Sequence, residues 1–359
     1  MSHRIKAAAA AGVAVLAVAP AGASAATKTV DMGTPISAQK ALQQTVADVN
    51  DFFQHGTTIH VGDSVKFVPT GFHTVDFPAK GGKPLGLIAP AGTTSGVVDA
   101  AGAPFWFNGQ PTLGFNPVLG PPGLYGKKAT YTGAKRVESG APLAPKPKPF
   151  TVKFTKAGTF TYYCNIHSGM KGTVKVVSKS HSVPSAKADA KTVQAQVSSA
   201  LSTAKALTKT TVAPGNVSIG ASGPRGVESY AMYPATQTVP VGTTIKFSMS
   251  AKTYEVHTAT FGPGNPETEP TSYLGDLAKH FAEDPVFPSQ AVYPSDPPPA
   301  GPAALTTTLH GNGFWNSGLL DVDKATPLPP SNSVTFAAPG TYTFYCLVHP
   351  FMKGTVVAQ

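Results

Sequence analysis

A short motif near the C-terminus constrains this chain most, because it spaces three metal-binding side chains three residues apart. Cys346, His349 and Met352 come directly after residues 342–345, which alternate as a β-strand does. Successive side chains of a strand point to opposite faces, so a strand cannot aim three ligands at one centre. We therefore expect the three residues to lie on the loop that leaves the strand, where a proline and a glycine also favour a turn.

The same motif occurs a second time, earlier in the chain. Cys164, His167 and Met170 have the same spacing, and they too follow an alternating segment. The sequence further upstream repeats as well, since residues 58–67 match residues 238–247. The chain is therefore interpreted as two copies of one unit.

Far upstream of each motif, the two copies share one histidine at an equivalent position. His257 lies 184 residues after His73, and Cys346 lies 182 residues after Cys164, so the internal lengths of the copies nearly agree. A ligand from a distant strand anchors a loop site to a rigid scaffold. His73 and His257 are therefore predicted to be the fourth ligands.

These side chains match the donor set of an electron-transfer copper site. Two imidazoles and a thiolate near a plane, with a long axial thioether, form a blue, or type 1, copper centre. Zinc is disfavoured because methionine is a poor zinc donor. We predict two copper ions, one per copy, held by two sets of ligands: His73, Cys164, His167 and Met170, and His257, Cys346, His349 and Met352.

A disulfide is the alternative use of the two cysteines, because the chain has only two. In an oxidising compartment one disulfide between Cys164 and Cys346 is the simple interpretation. Each cysteine, however, has a histidine and a methionine at the same positions in its own copy, which a disulfide does not need. The metal-binding interpretation is therefore preferred.

Length and composition predict an all-β protein of two domains. A chain of 359 residues is long enough for two cores, and 36 glycines, 35 prolines and 13% charged residues indicate many turns and few long helices. We predict a first β-domain at 27–178, a linker at 179–213 and a second β-domain at 214–359. Long Gly/Pro-rich insertions interrupt both domains.

Two segments have apolar residues at helical spacing. Residues 185–207 are rich in Ala, Ser, Thr and Lys, and predict a helix within the linker. A flexible linker is the alternative, because isolated helices of moderate propensity are marginal. Residues 36–53 also predict a short helix.

The first 25 residues predict a secretory signal peptide. Arg4 and Lys6 precede an apolar run, and a small-residue cleavage site ends at Ala25. A membrane anchor is disfavoured because the apolar run is too short to span a bilayer. The mature chain is therefore expected to be secreted, extracellular or periplasmic, without a transmembrane segment.

The charge of the chain does not indicate a nucleic-acid partner. The formal net charge is +10, but the lysines are spread along the sequence rather than clustered with aromatic residues.

Trp106 and Trp315 lie in aromatic clusters of the two insertions. These clusters predict either a cover beside the metal end of each domain or an apolar plug far from it.

With these motifs in place, the chain resembles the cupredoxins, the small blue-copper proteins such as plastocyanin, pseudoazurin and amicyanin. The loops from Cys164 to Met170 and from Cys346 to Met352 look most like the short amicyanin type. The resemblance implies a Greek-key β-sandwich in each copy. It also implies that the loop histidines, His167 and His349, pass electrons through an exposed ring edge within an apolar docking patch, with Ile166, Pro350 and Phe351 as candidate members.

One position departs from the family pattern. Cupredoxins often have an asparagine after the first histidine, which braces the cysteine loop, whereas this chain has Thr74 and Thr258. We expect the threonine hydroxyls to take over this task.

The sequence favours an exported electron carrier that works with a redox partner protein of unknown identity. Copper storage or delivery is an alternative, because a fold does not fix a function. A copper oxidoreductase of the nitrite reductase or two-domain laccase type is disfavoured. Those enzymes couple the blue site to a catalytic copper through a histidine beside the cysteine, and neither Cys164 nor Cys346 has such a neighbour.

Overall fold

The computed structural model describes residues 25–120, 123–298 and 301–359. The predicted signal peptide, residues 1–25, lies outside the described residues except for its last one, and it stays a prediction. Among the described residues, no helix is both long and apolar enough to cross a membrane.

The first half of the chain forms two five-stranded sheets and a separate hairpin. The sheets have the strand orders β3-β1-β5-β11-β9 and β10-β6-β12-β13-β4, and β7 pairs with β8. The bounds are β1 Thr27–Met32, α1 Ile36–Gln43, β2 Ala47–Val49, β3 Phe52–Phe53, β4 Gly56–His60, β5 Ser64–Pro69, β6 Asp76–Phe77, β7 Ile88–Thr93, β8 Pro111–Phe115, β9 Lys128–Tyr131, β10 Val137–Glu138, β11 Phe150–Phe154, β12 Gly158–Tyr163 and β13 Lys171–Val177.

The second half repeats this arrangement after one long helix. Its sheets have the orders β19-β21-β17-β14-β15-β2 and β16-β23-β22-β18-β20. The bounds are α2 Ala186–Leu207, β14 Asn216–Ser222, β15 Val227–Tyr233, β16 Thr236–Val239, β17 Thr244–Met249, β18 Thr260–Phe261, α3 Tyr273–Glu283, α4 Ser289–Val292, β19 Ala303–Leu305, β20 Trp315–Asn316, β21 Ser331–Phe336, β22 Gly340–Tyr345 and β23 Lys353–Ala358.

Each pair of sheets encloses its own apolar core. Phe67 packs edge-on against Tyr162 in the first core, with ring centroids 5.1 Å apart. Phe247 packs edge-on against Phe344 in the second core, also with centroids 5.1 Å apart. Fully buried aromatic side chains of this size contribute roughly 1.5–3 kcal/mol each through removal from water. The predicted all-β architecture of two β-sandwiches is confirmed.

One strand of the first half belongs to a sheet of the second. The helix predicted at 36–53 ends at Gln43, and residues 47–49 then form β2, so this prediction is wrong for its second part. β2 pairs antiparallel with β15, with Val49 opposite Val227. Helical spacing over a few residues also suits a short edge strand with two buried positions, which explains the error.

The long helix α2 is packed rather than flexible. The side chain of Ser185 caps its first turn by accepting a hydrogen bond from the Ala188 N–H. Ala200 and Ala204 are buried in an apolar cluster that also contains residues of α1, β2 and β15. The helix predicted for the linker is therefore present, and it packs on elements of both halves.

The two insertions fold onto each other. Phe105 and Phe107 from the first insertion share one apolar cluster with Phe314 from the second. The indole N–H of Trp106 donates to the Pro294 carbonyl at 2.9 Å. The same cluster includes Tyr345 and Leu347, the neighbours of Cys346 in the chain. The first insertion therefore lies beside the cysteine loop of the second half.

The contact between the halves at β2 generates a prediction about Gly226. Gly226 has φ +66°, and a Cβ there would lie 2.2 Å from the backbone oxygen of Asn50. We expect the free energy of unfolding of Gly226→Ala to be lower than that of the wild type by about 1–3 kcal/mol, in addition to the cost of backbone strain. The reason is that the two halves must move apart to admit the methyl group. The free energy of unfolding in urea measures this.

Gly242→Ala is the matched control, because Gly242 has a similar φ of +88° with no atom within 4 Å of the added Cβ. It carries the cost of the left-handed backbone alone. Equal losses of stability in the two variants would contradict a close contact at Asn50.

Candidate metal centres

The first candidate centre brings together three predicted ligands from two distant segments of the first half. The Nδ1 atoms of His73 and His167 lie 2.9 Å apart, and the Cys164 Sγ lies 3.6 Å from the His167 Nδ1. His73 precedes β6 and Cys164 follows β12, and these strands pair through Asp76 and Tyr163. The strand pairing therefore brings a histidine to a cysteine that is 91 residues further along the sequence.

The second candidate centre has the same geometry. The Nδ1 atoms of His257 and His349 lie 3.1 Å apart. The Cys346 Sγ lies 3.6 Å from the Nδ1 of His257 and 3.8 Å from that of His349. In each centre the three donor atoms all lie within 4.8 Å of one another, which suits a single ion.

The methionines lie at the end of each loop, in the apolar cores. Met170 shares the first core with Cys164, and both are buried. The loop is closed by two hydrogen bonds, from the Cys164 N–H to the Met170 carbonyl at 3.0 Å and from the Met170 N–H to the His167 carbonyl at 3.1 Å. Met352 closes the second loop in the same way. Assignment of the methionines as ligands stays a prediction.

Both cysteines are free and buried, so no disulfide joins them. The backbone N–H of Thr74 donates to the Cys164 Sγ, and that of Thr258 to the Cys346 Sγ, each at 3.4 Å. Burial would raise the pKa of the Cys164 thiol, but hydrogen bonds to His167 and His73 outweigh it and the pKa lies well below its usual value. The first centre is therefore suited to a thiolate.

The threonine hydroxyls brace the cysteine loops, as predicted. The Thr74 Oγ1 accepts from the Asn165 N–H at 2.7 Å, and the Thr258 Oγ1 accepts from the Leu347 N–H at 2.9 Å. Each bond joins the segment of the upstream histidine to the residue after the cysteine. It therefore fixes the separation of two predicted ligands.

The donor set fits copper. Imidazole suits copper and thiolate selects soft or borderline metals, while neither centre offers the oxygen donors that calcium or magnesium require. Burial lowers the pKa of the His257 imidazole to about 4. The ring is therefore neutral at neutral pH and able to bind a metal. The residues present therefore suit a type 1 copper ion, which carries a single electron in and out.

Glu255, which the sequence analysis missed, lies between the two centres. The His167 Nε2 lies 3.3 Å from the Glu255 Oε1, and the His349 Nε2 lies 3.6 Å from the Glu255 Oε2. Burial would raise the pKa of the Glu255 carboxyl, but the charge of His167, followed by that of His349, lowers it well below its usual value. One feature of the sequence could have drawn attention to this residue. Glu255 stands two residues before His257, whereas the first copy has Gly71 at that position.

The expectation of an exposed loop histidine is wrong for His167, whereas His349 is partly exposed. The side chain of His167 is only 9% exposed and that of His349 19% exposed. The reason is that the ligand loops of the two halves face each other across Glu255. Of the proposed docking residues, Phe351 is the most open, at 47% exposure.

A cavity of about 410 Å³ opens beside both centres. His73, His167 and His349 contribute to its wall, together with Glu255 and Tyr230. The remaining wall is largely apolar, with side chains from both halves: Phe72, Leu87, Ile88, Phe115, Ile166, Phe281, Phe287 and Val348.

Comparison with known proteins finds a match in sequence over part of the chain. Over 58 residues, 15% of this chain, the sequence is 45% identical to amicyanin-alpha of Methylorubrum extorquens, and the match covers 49% of that protein. The chain thus spans about half the length of the curated relative that it matches. No protein-family model matches the chain. The match to amicyanin-alpha confirms the predicted resemblance to the cupredoxins.

Solved structures of similar proteins include a plastocyanin and a purple cupredoxin. The oxidised plastocyanin of Dryopteris crassirhizoma is 23% identical, with 40% of this chain and 99% of that chain covered and a TM-score of 0.21. A purple cupredoxin from Nitrosopumilus maritimus is 16% identical, with 40% and 98% covered and a TM-score of 0.22.

The threonine braces generate a prediction about stability. Thr258→Val keeps the shape of the side chain but removes the hydroxyl, so the buried N–H of Leu347 loses its acceptor. We expect a loss of about 1–3 kcal/mol, the cost of an unsatisfied buried polar group. The free energy of unfolding of the copper-free protein measures it.

Thr258→Ser, which keeps the hydroxyl, is the control for that experiment. It should retain the brace and lose only the contribution of one methyl group, about 1 kcal/mol. A valine variant as stable as the serine variant would mean that the hydroxyl does not support the loop.

Proposed function

We propose that this chain is an exported electron-transfer protein with two type 1 copper centres, one in each half. The observation that carries the proposal is the convergence of two imidazole Nδ1 atoms and one cysteine sulfur, found twice with nearly the same distances. The predicted axial ligands are Met170 and Met352. The match to amicyanin-alpha supports the same function.

The protein contributes rigidity to electron transfer. A copper ion in such a site alternates between two oxidation states that prefer different geometries, and a fixed set of donors keeps the rearrangement small. Thr74 and Thr258 hold the ligand loops against the upstream histidines. The backbone N–H groups that point at the sulfurs stabilise thiolate charge, and both cysteines are buried.

Electron transfer is preferred to catalysis by copper because of the residues around the cysteines. Tyr163 and Asn165 flank one cysteine, and Tyr345 and Leu347 the other. Neither cysteine therefore has the adjacent histidine that links a blue site to a catalytic copper in the enzymes considered above. The exposed ring of Phe351 lies 6.1 Å from the His349 ring, centroid to centroid, and offers an apolar contact for a redox partner protein.

Copper loading and spectroscopy test the proposal directly. The purified chain should bind two copper ions and show an intense visible band from thiolate-to-copper charge transfer, which a reductant bleaches. Cys346→Ser and Cys164→Ser should each remove one ion and about half of the band, since each loses one thiolate ligand.

Other outcomes of that experiment favour the alternatives. Two bound copper ions without the visible band would favour storage or delivery. More than two ions per chain would favour a copper enzyme. A chain that binds no copper would contradict the proposed function altogether.

The axial ligands can be tested separately. Met352→Gln should lower the reduction potential of the second centre only, because an amide oxygen is a harder donor than a thioether and favours Cu(II). Met352→Leu should raise that potential, because it removes the donor. A redox titration followed at the visible band measures both, and unchanged potentials would mean that Met352 is not a ligand.

A further inference from the structure

Glu255 is a buried carboxylate held by side chains from both halves of the chain. Its Oε1 accepts from the Asn50 Nδ2 at 2.6 Å and from the Tyr230 hydroxyl at 2.7 Å. The His167 Nε2 lies 3.3 Å from the same oxygen, and the His349 Nε2 lies 3.6 Å from the Oε2. Two hydrogen-bond donors and two imidazole nitrogens thus surround one carboxylate.

This arrangement favours a proton on the Nε2 of both loop histidines, because that nitrogen is the one that lies near the carboxylate. A neutral imidazole has one donor and one acceptor nitrogen. When the Nε2–H faces Glu255, the lone pair remains on Nδ1, and Nδ1 is the atom that meets the cysteine sulfur in each centre. A carboxylate behind a ligand histidine fixes its tautomer and raises its basicity. Here one carboxylate serves two histidines of different centres.

The loop histidine of the first centre is more deeply buried than that of the second. Only 9% of the His167 side chain is exposed, and its Nε2 faces Glu255. His349, by contrast, has the exposed Phe351 as a neighbour. The side chains of His167, Glu255 and His349 therefore form a continuous route between the two centres, at the interface of the halves.

On the basis of the proposed function, we propose that Glu255 is a positioning residue shared by both centres and that it joins them into one electron-exchanging pair. An electron that arrives at the second centre passes by way of His349, Glu255 and His167 to the first. The second centre is then oxidised again and the first is reduced, so that no other reactant is needed. The pair holds two electrons in all, one on each centre.

Glu255→Gln tests the shared role, because an amide has only one acceptor oxygen. Three donors point at the Oε1 position, so the amide oxygen should occupy it and the NH₂ group should face the His349 Nε2. Two donors then oppose each other, and His349 must move its proton to Nδ1, its metal-binding nitrogen. We expect copper affinity at the second centre to fall roughly 10–100-fold, with a smaller loss at the first.

The affinities are measured one centre at a time, by competition with a chromophoric Cu(I) chelator. The Cys164→Ser background leaves only the second centre, and the Cys346→Ser background leaves only the first. Glu228→Gln is the control, because Glu228 is buried nearby but accepts a hydrogen bond from the Tyr254 N–H instead. Glu228→Gln should leave both affinities unchanged. An unchanged affinity of the second centre in Glu255→Gln would overturn the positioning role.

Electron exchange is measured in the fully loaded protein that also carries Met170→Gln, which makes the two centres distinguishable. A short pulse of a photoreductant supplies less than one electron per chain. We expect redistribution between the centres at a rate independent of protein concentration, slowed at least about tenfold by Glu255→Gln. A rate proportional to concentration would overturn the pair, and an equal rate in the two proteins would overturn the bridge.

The doubly oxidised wild-type protein provides a further readout without any variant of Glu255. Its EPR spectrum should show magnetic coupling between two nearby Cu(II) ions, which is absent from either single-centre background. Uncoupled blue-copper signals from both centres would contradict the pair while leaving the proposed function intact. Loss of blue-copper signals from the wild-type protein would instead contradict the proposed function.

Discussion

Each candidate centre depends on the pairing of two strands that are distant in sequence. β6 lies beside β12 in one sheet, and β18 lies beside β22 in the other. The upstream histidine stands before the first strand of each pair and the cysteine after the second. The long insertions between them leave this pairing intact, and they add strands to the same sheets. A rigid sheet thus sets the distance between ligands that flexible loops alone would not hold.

Contacts between the two halves determine where the candidate centres lie. Strand β2 crosses to the sheet of the other half, Arg225 forms a bidentate ion pair with the buried Asp51, and Glu255 accepts from Asn50. These contacts join the two halves through backbone and side-chain hydrogen bonds. The aromatic cluster of the insertions also packs against Tyr345 and Leu347 of the second cysteine loop. The halves are therefore placed with their candidate centres facing inward.

Much of the fold and of the candidate site follows from the sequence because the signals are local or repeated. The spacing from Cys346 to Met352 occurs twice, strand alternation surrounds it, and the matching offsets identify His73 and His257. Contacts between the halves have no such signal. Glu255 is a single residue without a counterpart in the first copy, and its importance depends on where the other half lies. The burial of His167 has the same origin, as does the short β2, whose spacing also suits a helix.

The central claim is that two metal ions lie in this molecule, each beside one cysteine. Crystals of the copper-loaded protein, measured on both sides of the copper absorption edge, test it most directly. The account predicts two anomalous difference peaks, one next to the Cys164 sulfur and one next to the Cys346 sulfur. A single peak, or peaks located in the cavity away from both sulfurs, would contradict it.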